Sequence, residues 1–235
     1  MSVLQTVHLS KAFGGNHAVE DVSLTIEKAE LVALVGPNGA GKTTLLNLVT
    51  GQQTPTSGSV QVNGIDVTRR QPSHRDRAPL FRSYQDGGTF PRLSALENVA
   101  VAAVARGKRR GRAERDAAEA LRRVGLWPVA HERTERLSGG QRKLIDFARC
   151  LAVDAQLALF DEPTAGVNPA LAELMGQVLL EKQATGVTCV TISHDLPWVF
   201  GLCPRVVVMA AGRVLLDGTP QECQSDQRVI DAYLS

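Results

Sequence analysis

The sequence predicts an α/β fold in which a core built on a mostly parallel sheet carries an antiparallel β subdomain and is interrupted by a helical insert. Three observations lead there. Leu31 to Val35 is a compact apolar run ending in a Gly-rich turn, as a strand buried on both faces of a parallel sheet does. From Leu157 onward strand-like runs alternate with helical segments, the pattern of a sheet with crossover helices. Between them the chain turns Ala-rich, Arg-rich and helical.

The elements follow in order. Val3 to Leu9 and Val22 to Ile26 alternate apolar and polar residues and read as antiparallel strands. The buried strand at Leu31 to Val35 leads into a helix over Lys42 to Val49. Ser59 to Val62 followed by Asn63-Gly64 reads as a strand and a tight hairpin turn. Ser94 to Val124 is helical with a break at Arg106-Gly107-Lys108, and Gly125 and Pro128 close it. After Ser138 an amphipathic helix places Leu144, Phe147, Ala148 and Leu151 on one face, with Lys143, Asp146 and Arg149 among the solvated positions. The last third gives a strand at Leu157 to Phe160, a helix after Pro169, and a strand at Thr188 to Ile192. A short helix near Trp198 and a strand at Val206 to Met209 complete it. No linker interrupts the chain, so the expectation is one domain over 1–235. Residues 1–85 and 138–235 form its core with the antiparallel β subdomain, and 86–137 form the helical subdomain.

Composition narrows the function. With 26 Lys+Arg against 24 Asp+Glu the net charge is +2, too small to imply nucleic acid or anionic lipid as an obligatory partner. The longest apolar stretches, such as Val99 to Ala105, fall far below the ~18 residues needed to cross a bilayer. The opening residues have neither a basic region nor an apolar one of secretory type. Cys150, Cys189, Cys203 and Cys223 are scattered, which reads as reduced, buried thiols in a cytosolic protein. The basic run Arg106, Lys108, Arg109, Arg110, Arg112 and Arg115 reads as a solvated face, and Trp127 and Trp198 as packing residues.

The chemistry begins at Gly36-Pro37-Asn38-Gly39-Ala40-Gly41-Lys42-Thr43, which fits the P-loop pattern G-x-x-x-x-G-K-[ST]. Several backbone N–H groups must turn inward around one anion, and glycine alone accepts those dihedrals and leaves room for phosphate oxygens. The N-terminus of the following helix, with Thr44 in its first turn, adds attraction. Lys42 supplies a mobile charge, and Thr43 can ligate Mg²⁺. Leu157 to Phe160 then ends in Asp161-Glu162, two carboxylates at the C-terminal edge of a strand, where open parallel sheets bind ligands. Beside a P-loop, Asp161 can hold the Mg²⁺ shell through water and Glu162 can polarise an attacking water. Together these features make the core a P-loop NTPase core.

Leu137-Ser138-Gly139-Gly140-Gln141 sets a hydroxyl and two glycines at a helix N-terminus, a second surface suited to a γ-phosphate. One P-loop already holds a triphosphate, so a second such surface makes sense if it closes over nucleotide bound to another subunit. Here the sequence resembles the ATP-binding cassette (ABC) ATPases, whose signature motif is LSGGQ, and the resemblance covers essentially the whole chain. It implies an ATPase using ATP and Mg²⁺, with Ser138, Gly139, Gly140 and Gln141 acting on the partner's nucleotide. It implies that Gln85 links the Mg²⁺ and water site to a transmembrane partner, that His194 contacts the γ-phosphate, and that Phe13 stacks on adenine. It further implies a homodimer, or a heterodimer with a similar subunit, together with permease subunits and through them a substrate-binding protein. Such an assembly has no nucleic-acid partner and holds the chain peripherally at the cytoplasmic face of the inner membrane.

The subgroup is read from shorter segments. PTAGVNP, FGG at Phe13 to Gly15, RSYQ at Arg82 to Gln85 and the ending VIDAYLS are similar to branched-chain amino-acid importer ATPases. Lipopolysaccharide-export and urea-importer ATPases have closely related cassettes and stay open as alternatives. Soluble ABC ATPases fit less well. In the repair type very long coiled coils separate P-loop from signature, whereas 96 residues separate Lys42 from Ser138 here, and translation-type chains carry two cassettes. One departure stands out: where many members read S-A-L-D, this chain has Ala165-Gly166-Val167-Asn168, which keeps hydrogen-bonding capacity without the charge.

Overall fold

The structure, a computed structural model, describes residues 1–70, 80–83 and 88–234. Two sheets organise it. β1 (Ser2–Phe13), β2 (Asn16–Glu27), β4 (Ser57–Val62) and the two-residue β5 (Ile65–Asp66) form an antiparallel sheet in the order β2-β1-β4-β5. Asn63 (φ 51°) and Gly64 (φ 72°) make the β4–β5 turn in the left-handed conformation that a two-residue hairpin requires.

The second sheet has six strands in the order β10-β9-β3-β8-β7-β6. β3 (Leu31–Val35), β6 (Leu80–Arg82), β7 (Leu157–Asp161), β8 (Thr188–Ile192) and β9 (Arg205–Ala210) run parallel, and β10 (Arg213–Gly218) closes the edge antiparallel to β9. Alternate residues of the central strands feed two cores. Leu31, Ala33, Val35, Ala158 and Phe160 pack with the helices on one face. Val32, Leu34, Leu157 and Leu159 pack on the other face against the antiparallel sheet and the apolar residues of α1 (Lys42–Thr50). Both faces are covered, which is why β3 and the first four residues of β7 read as continuous apolar runs, and why every residue of β8, including Thr188 and Thr191, is buried. Full burial of a side chain such as Phe160 contributes roughly 1.5–3 kcal/mol.

The helical layer comprises α2 (Ala95–Ala105), α3 (Arg110–Arg123) and α4 (Gly139–Ala152), followed by α5 (Pro169–Ala184) and α6 (Leu196–Leu202). Two short C-terminal helices, α7 (Pro220–Ser225) and α8 (Gln227–Leu234), end the described chain. α2 starts at a full capping box between Ser94 and Glu97, and Arg106-Gly107 breaks it from α3 as expected, with Gly107 at φ 84°. All four cysteines are buried and unpaired with one another. Trp198 packs as expected and donates its indole N–H to the Ala172 carbonyl at 3.0 Å. Trp127 instead lies at the surface, with the Arg122 guanidinium 4.0 Å from its ring centroid. Within the basic run Lys108 is engaged by Asp116, Asp154 and the Ala152 carbonyl, while Arg109, Arg110, Arg112 and Arg115 are exposed. Among the described residues no helix is long and apolar enough to cross a membrane.

The solvated positions expected on α4 require a correction. Asp146 is 4% exposed and Arg149 8%, because α4 has the sheet on one side and α2 and α3 on the other. Phe147 stacks on Phe160 of β7 with centroids 4.8 Å apart. Toward α2, Arg149 pairs with Asp146 at 2.8 Å and donates to the Asn98 backbone and side-chain oxygens at 3.0 and 2.9 Å. Asn98, fully buried, accepts from the Phe90 N–H and donates to the Phe90, Leu93 and Ser94 carbonyls. Removing one member of a buried ion pair strands the other. Asp146→Ala is therefore expected to lower stability by about 3 kcal/mol, read as a shift in the urea unfolding midpoint. A change within ~0.5 kcal/mol would show that Arg149 is satisfied without it.

Candidate active site

Four adjacent parallel strands end side by side, and the predicted chemistry sits at those ends. Beyond β3 lies the loop 36–41, beyond β7 Glu162, and beyond β8 Ser193 and His194. Beyond β6 lies Ser83, and the predicted Gln85 falls outside the described residues.

The loop needs its glycines for two separate reasons. Gly36 (φ 147°), Gly39 (φ 80°) and Gly41 (φ 97°) all take backbone conformations that disfavour side chains. Gly36 and Gly41 are also crowded: a Cβ would stand 2.1 Å from the Met209 carbonyl oxygen at the first and 2.2 Å from that of Ala18 at the second. Pro37, Asn38 and Gly39 lie toward the surface, Ala40 packs into the core, and its carbonyl accepts from the Gly212 N–H at 3.1 Å. Lys42 curls back over the loop and donates to the Gly36 and Pro37 carbonyls at 2.7 and 2.9 Å. Burial lowers its ammonium pKa, while the Glu162 and Asp161 carboxylates oppose that shift.

Asp161 is 5% exposed at the end of β7. Burial raises its carboxyl pKa, which Arg82 at 3.3 Å and a hydrogen bond from Thr43 offset only in part, the Glu162 charge adding to the rise. Arg82 also reaches Asn47, Thr50 and Gln52 at 2.6, 3.0 and 2.8 Å, and so ties Asp161 to α1 and the residues just after it. Glu162 stands in a turn rather than at a helix start, with φ 50° and its N–H donating to the Ile192 carbonyl at 3.0 Å. Its Oε2 lies 2.7 Å from His194 Nδ1; the carboxylate is 15% exposed and the imidazole 67%.

Phe13 is half exposed at the end of β1, with the Lys11 ammonium 5.1 Å from its ring centroid. The same hairpin brings Ala18 of β2 against Gly41, so it lies beside the phosphate loop. Ser138 is the N-cap of α4: its hydroxyl accepts from the Gln141 N–H at 3.2 Å, and the Gln141 side chain accepts from the Ser138 N–H at 2.9 Å. Gly139 is exposed with open space around it. Among the described residues no hydrogen bond joins 138–141 to 36–44. Asn168 uses its side chain to cap α5, accepting from the Leu171 N–H at 2.9 Å ahead of Pro169.

Three side chains at this site were not singled out from the sequence. Arg82 had a signal, a charge within an apolar strand. Lys143 of α4 donates to the Glu162 carbonyl at 3.3 Å and to that of Ala165, a contact no local pattern announces. Tyr233 of α8 has a phenol pushed up to about 12 by burial, near the Gly36 backbone and Glu162. It lies in the ending already marked by its subgroup resemblance.

The donors fit a nucleotide with Mg²⁺. Among the described residues no group of three or more His, Cys, Asp or Glu side chains could hold a metal alone. A P-loop with a hydroxyl at Thr43 and one carboxylate at Asp161 is what a phosphate-bound, largely hydrated Mg²⁺ needs. A glycine-cradled loop on one strand, with carboxylates on the next strand but one, defines a P-loop nucleotide-binding α/β protein.

Comparison with known proteins is more specific. Residues 19–165 match the family model described as ABC transporter. The chain is 37% identical to an Fe(3+) ions import ATP-binding protein of Agrobacterium fabrum over 92% of its own length, but spans only 60% of that relative. It is 33% identical to a "probable branched-chain amino acid transport ATP-binding protein" of Archaeoglobus fulgidus, covering 100% of this chain and 96% of that one. A nucleotide-free ATP-binding cassette from an ABC transporter superposes with a TM-score of 0.90 at 27% identity, over 100% of both chains. A dimeric post-hydrolysis cassette bound to ADP and Pi superposes at 0.84 and 26% identity, over 92% of this chain and 98% of that one. The chain belongs to the ABC transporter family. ATP-binding subunits of this family take ATP with Mg²⁺ and hydrolyse it to drive transport.

Gly41→Ala places a Cβ against the Ala18 carbonyl at an unfavourable φ. We expect at least ~10-fold weaker binding of a fluorescent ATP analogue together with a lowered Tm, through loss of loop geometry. Wild-type affinity in that variant would mean the loop is not the phosphate cradle.

Proposed function

We propose that this chain is the ATP-hydrolysing subunit of an ABC importer, working as a dimer on membrane permease subunits. The observation that carries this reading is the 2.7 Å pair of Glu162 and His194 at the strand ends beside the P-loop. Lys42 and the loop amides bind the β- and γ-phosphates, with Lys42 exchanging its carbonyl partners for phosphate oxygens. Thr43 and Asp161, with Gln85, would hold the Mg²⁺, which would supply neutralisation of phosphate charge. Glu162 orients and polarises the attacking water. The 2.7 Å contact of His194 Nδ1 with Glu162 fixes the ring, whose other edge is exposed and is the part that would meet the γ-phosphate. Phe13 offers an exposed face to adenine.

The dimer reading is supported by the exposure of the second phosphate-type surface, whose capping bonds among the described residues stay within 138–141. Ser138, Gly139, Gly140 and Gln141 stand exposed or half-buried at a capped helix N-terminus, so they suit a nucleotide held by a second cassette. The cargo we propose is a branched-chain or other small amino acid. The near end-to-end match to the Archaeoglobus fulgidus protein supports this, as do the PTAGVNP, FGG, RSYQ and AYLS segments.

Two variants test the catalytic reading. Glu162→Gln is expected to keep ATP affinity, lose at least ~100-fold in turnover and accumulate an ATP-bound dimer on size exclusion; wild-type turnover would remove Glu162 as the base. Ser138→Arg is expected to abolish hydrolysis while leaving ATP binding by the monomer intact, and persisting activity would rule out the composite site. For the cargo, co-purification from solubilised native membranes should bring down a permease and an amino-acid-binding protein. A lipid-handling partner instead would overturn the import reading.

A further inference from the structure

We infer that Lys143 is a positioning residue that wires the signature helix to its own subunit's Glu162, so that closure on one nucleotide is felt at the other. The inference rests on the dimer reading above. In that arrangement Ser138 to Gly140 of a subunit touch the nucleotide in the partner's P-loop, while Glu162 of the same subunit serves the nucleotide in its own. Something must connect 138–140 to 162 for the two sites to act together.

Lys143 makes that connection by hydrogen bonds. It lies three residues beyond Gly140 on α4, and its ammonium donates to the backbone carbonyls of Glu162, at 3.3 Å, and of Ala165. Those carbonyls flank a turn that also closes on itself, the Ala165 N–H donating to the Glu162 carbonyl at 3.3 Å. Glu162 holds φ 50°, a left-handed conformation that a glutamate keeps only when its surroundings impose it. A cationic donor reaching two carbonyls of the turn is such an imposition. Lys143 and Asp146 of the signature helix line one small gap with Ser83, Phe147, Asp161, Glu162 and Pro163, so the ammonium sits where that helix faces the carboxylates. The neighbouring contact of α4 with β7 is the stack of Phe147 on Phe160, which fixes the helix on the sheet. A shift at the start of α4 therefore moves Lys143 and with it the backbone that aims the Glu162 carboxylate.

The test uses the full chain with Lys143→Met, which keeps the stem and removes the charge, and Lys143→Arg, which keeps it. Affinity for a fluorescent ATP analogue should stay within about twofold of wild type in both, because Lys143 donates to the carbonyls of the turn and not to the phosphate loop. In Lys143→Met the Hill coefficient of ATP hydrolysis should fall from above 1 toward 1, its ceiling being about 2 for two sites, with kcat down about tenfold; Lys143→Arg should restore both. If Lys143→Met does not fold, Lys143→Gln carries the same expectation, with the urea unfolding midpoint as control. Wild-type kcat and cooperativity in the neutral variant, or a wild-type Hill coefficient of 1, would overturn the inference and leave the dimer reading standing if Ser138→Arg is inactive. An active Ser138→Arg would instead remove the dimer reading and this inference with it.

Discussion

Two carbonyl oxygens govern the phosphate site. Met209 O on β9 and Ala18 O on β2 stand where side chains on Gly36 and Gly41 would begin, so the loop is pinned at both ends, once by the parallel sheet and once by the antiparallel one. The Gly212 N–H adds a third restraint through the Ala40 carbonyl. A phosphate cradle needs its amides pointed inward before the ligand arrives, because ordering them at binding would cost conformational entropy. The antiparallel sheet therefore does more than display Phe13: its second strand is one wall of the loop. This ties the loop to the core that β2 and α1 share, since a shift of β2 on α1 would be felt at Gly41.

The helical layer obeys a different constraint. It has to be rigid enough to carry Ser138 to Gly140 as a unit, and its interior is built largely from alanines on α2 and α3 that let the helices approach closely. Small residues give little specificity of register by themselves. Asn98 and Arg149 supply it: the asparagine satisfies three carbonyls and one N–H of the 90–94 segment, while the arginine holds the asparagine and Asp146. Thr134, just ahead of the signature, donates to the same Phe90 carbonyl that Asn98 engages. The polar cluster thus fixes the start of α4 relative to the chain that follows β6, at the desolvation cost any buried charge carries.

Much of this was legible in the sequence because it is local. The run Leu31 to Val35, the P-loop, the Asp-Glu strand end and the capping pattern of LSGGQ each depend on a few neighbouring residues, and each is found where expected. What sequence reading mistook depends on burial by distant elements. Asp146 and Arg149 occupy polar positions on an amphipathic wheel, yet α4 is covered on both sides, and no one-dimensional pattern reports a second layer. Trp127 illustrates the converse, an aromatic surrounded by apolar neighbours in sequence but held at the surface under an arginine. β10 escaped notice because Arg213 to Gly218, at a sheet edge, never becomes fully buried and so lacks a strong apolar signal. The Asn168 departure reads differently once its side chain is seen capping α5. Asn-Pro is a helix start, and the residue type is explained by that local task.

Arg82 shows why one buried charge in a strand deserves weight. Its guanidinium, on a side chain 8% exposed, joins Asp161 on β7 to Asn47 and Thr50 on α1. Of the residues that could fill this place, an apolar one would leave the Asp161 carboxyl in a dry site with Glu162 nearby, and both effects favour the protonated form. Lysine would supply charge without the planar fork that spans two elements at once. Arginine opposes the rise that burial imposes on the Asp161 pKa, aims the carboxylate, and links it to the helix that begins at Lys42. The pair need not add net stability to justify itself, since ion pairs of this burial often do not. Its effect is geometric: the carboxylate, the Thr43 hydroxyl and the P-loop helix are held in one frame, so that the phosphate loop on β3 and the acidic end of β7 respond together to whatever binds between them.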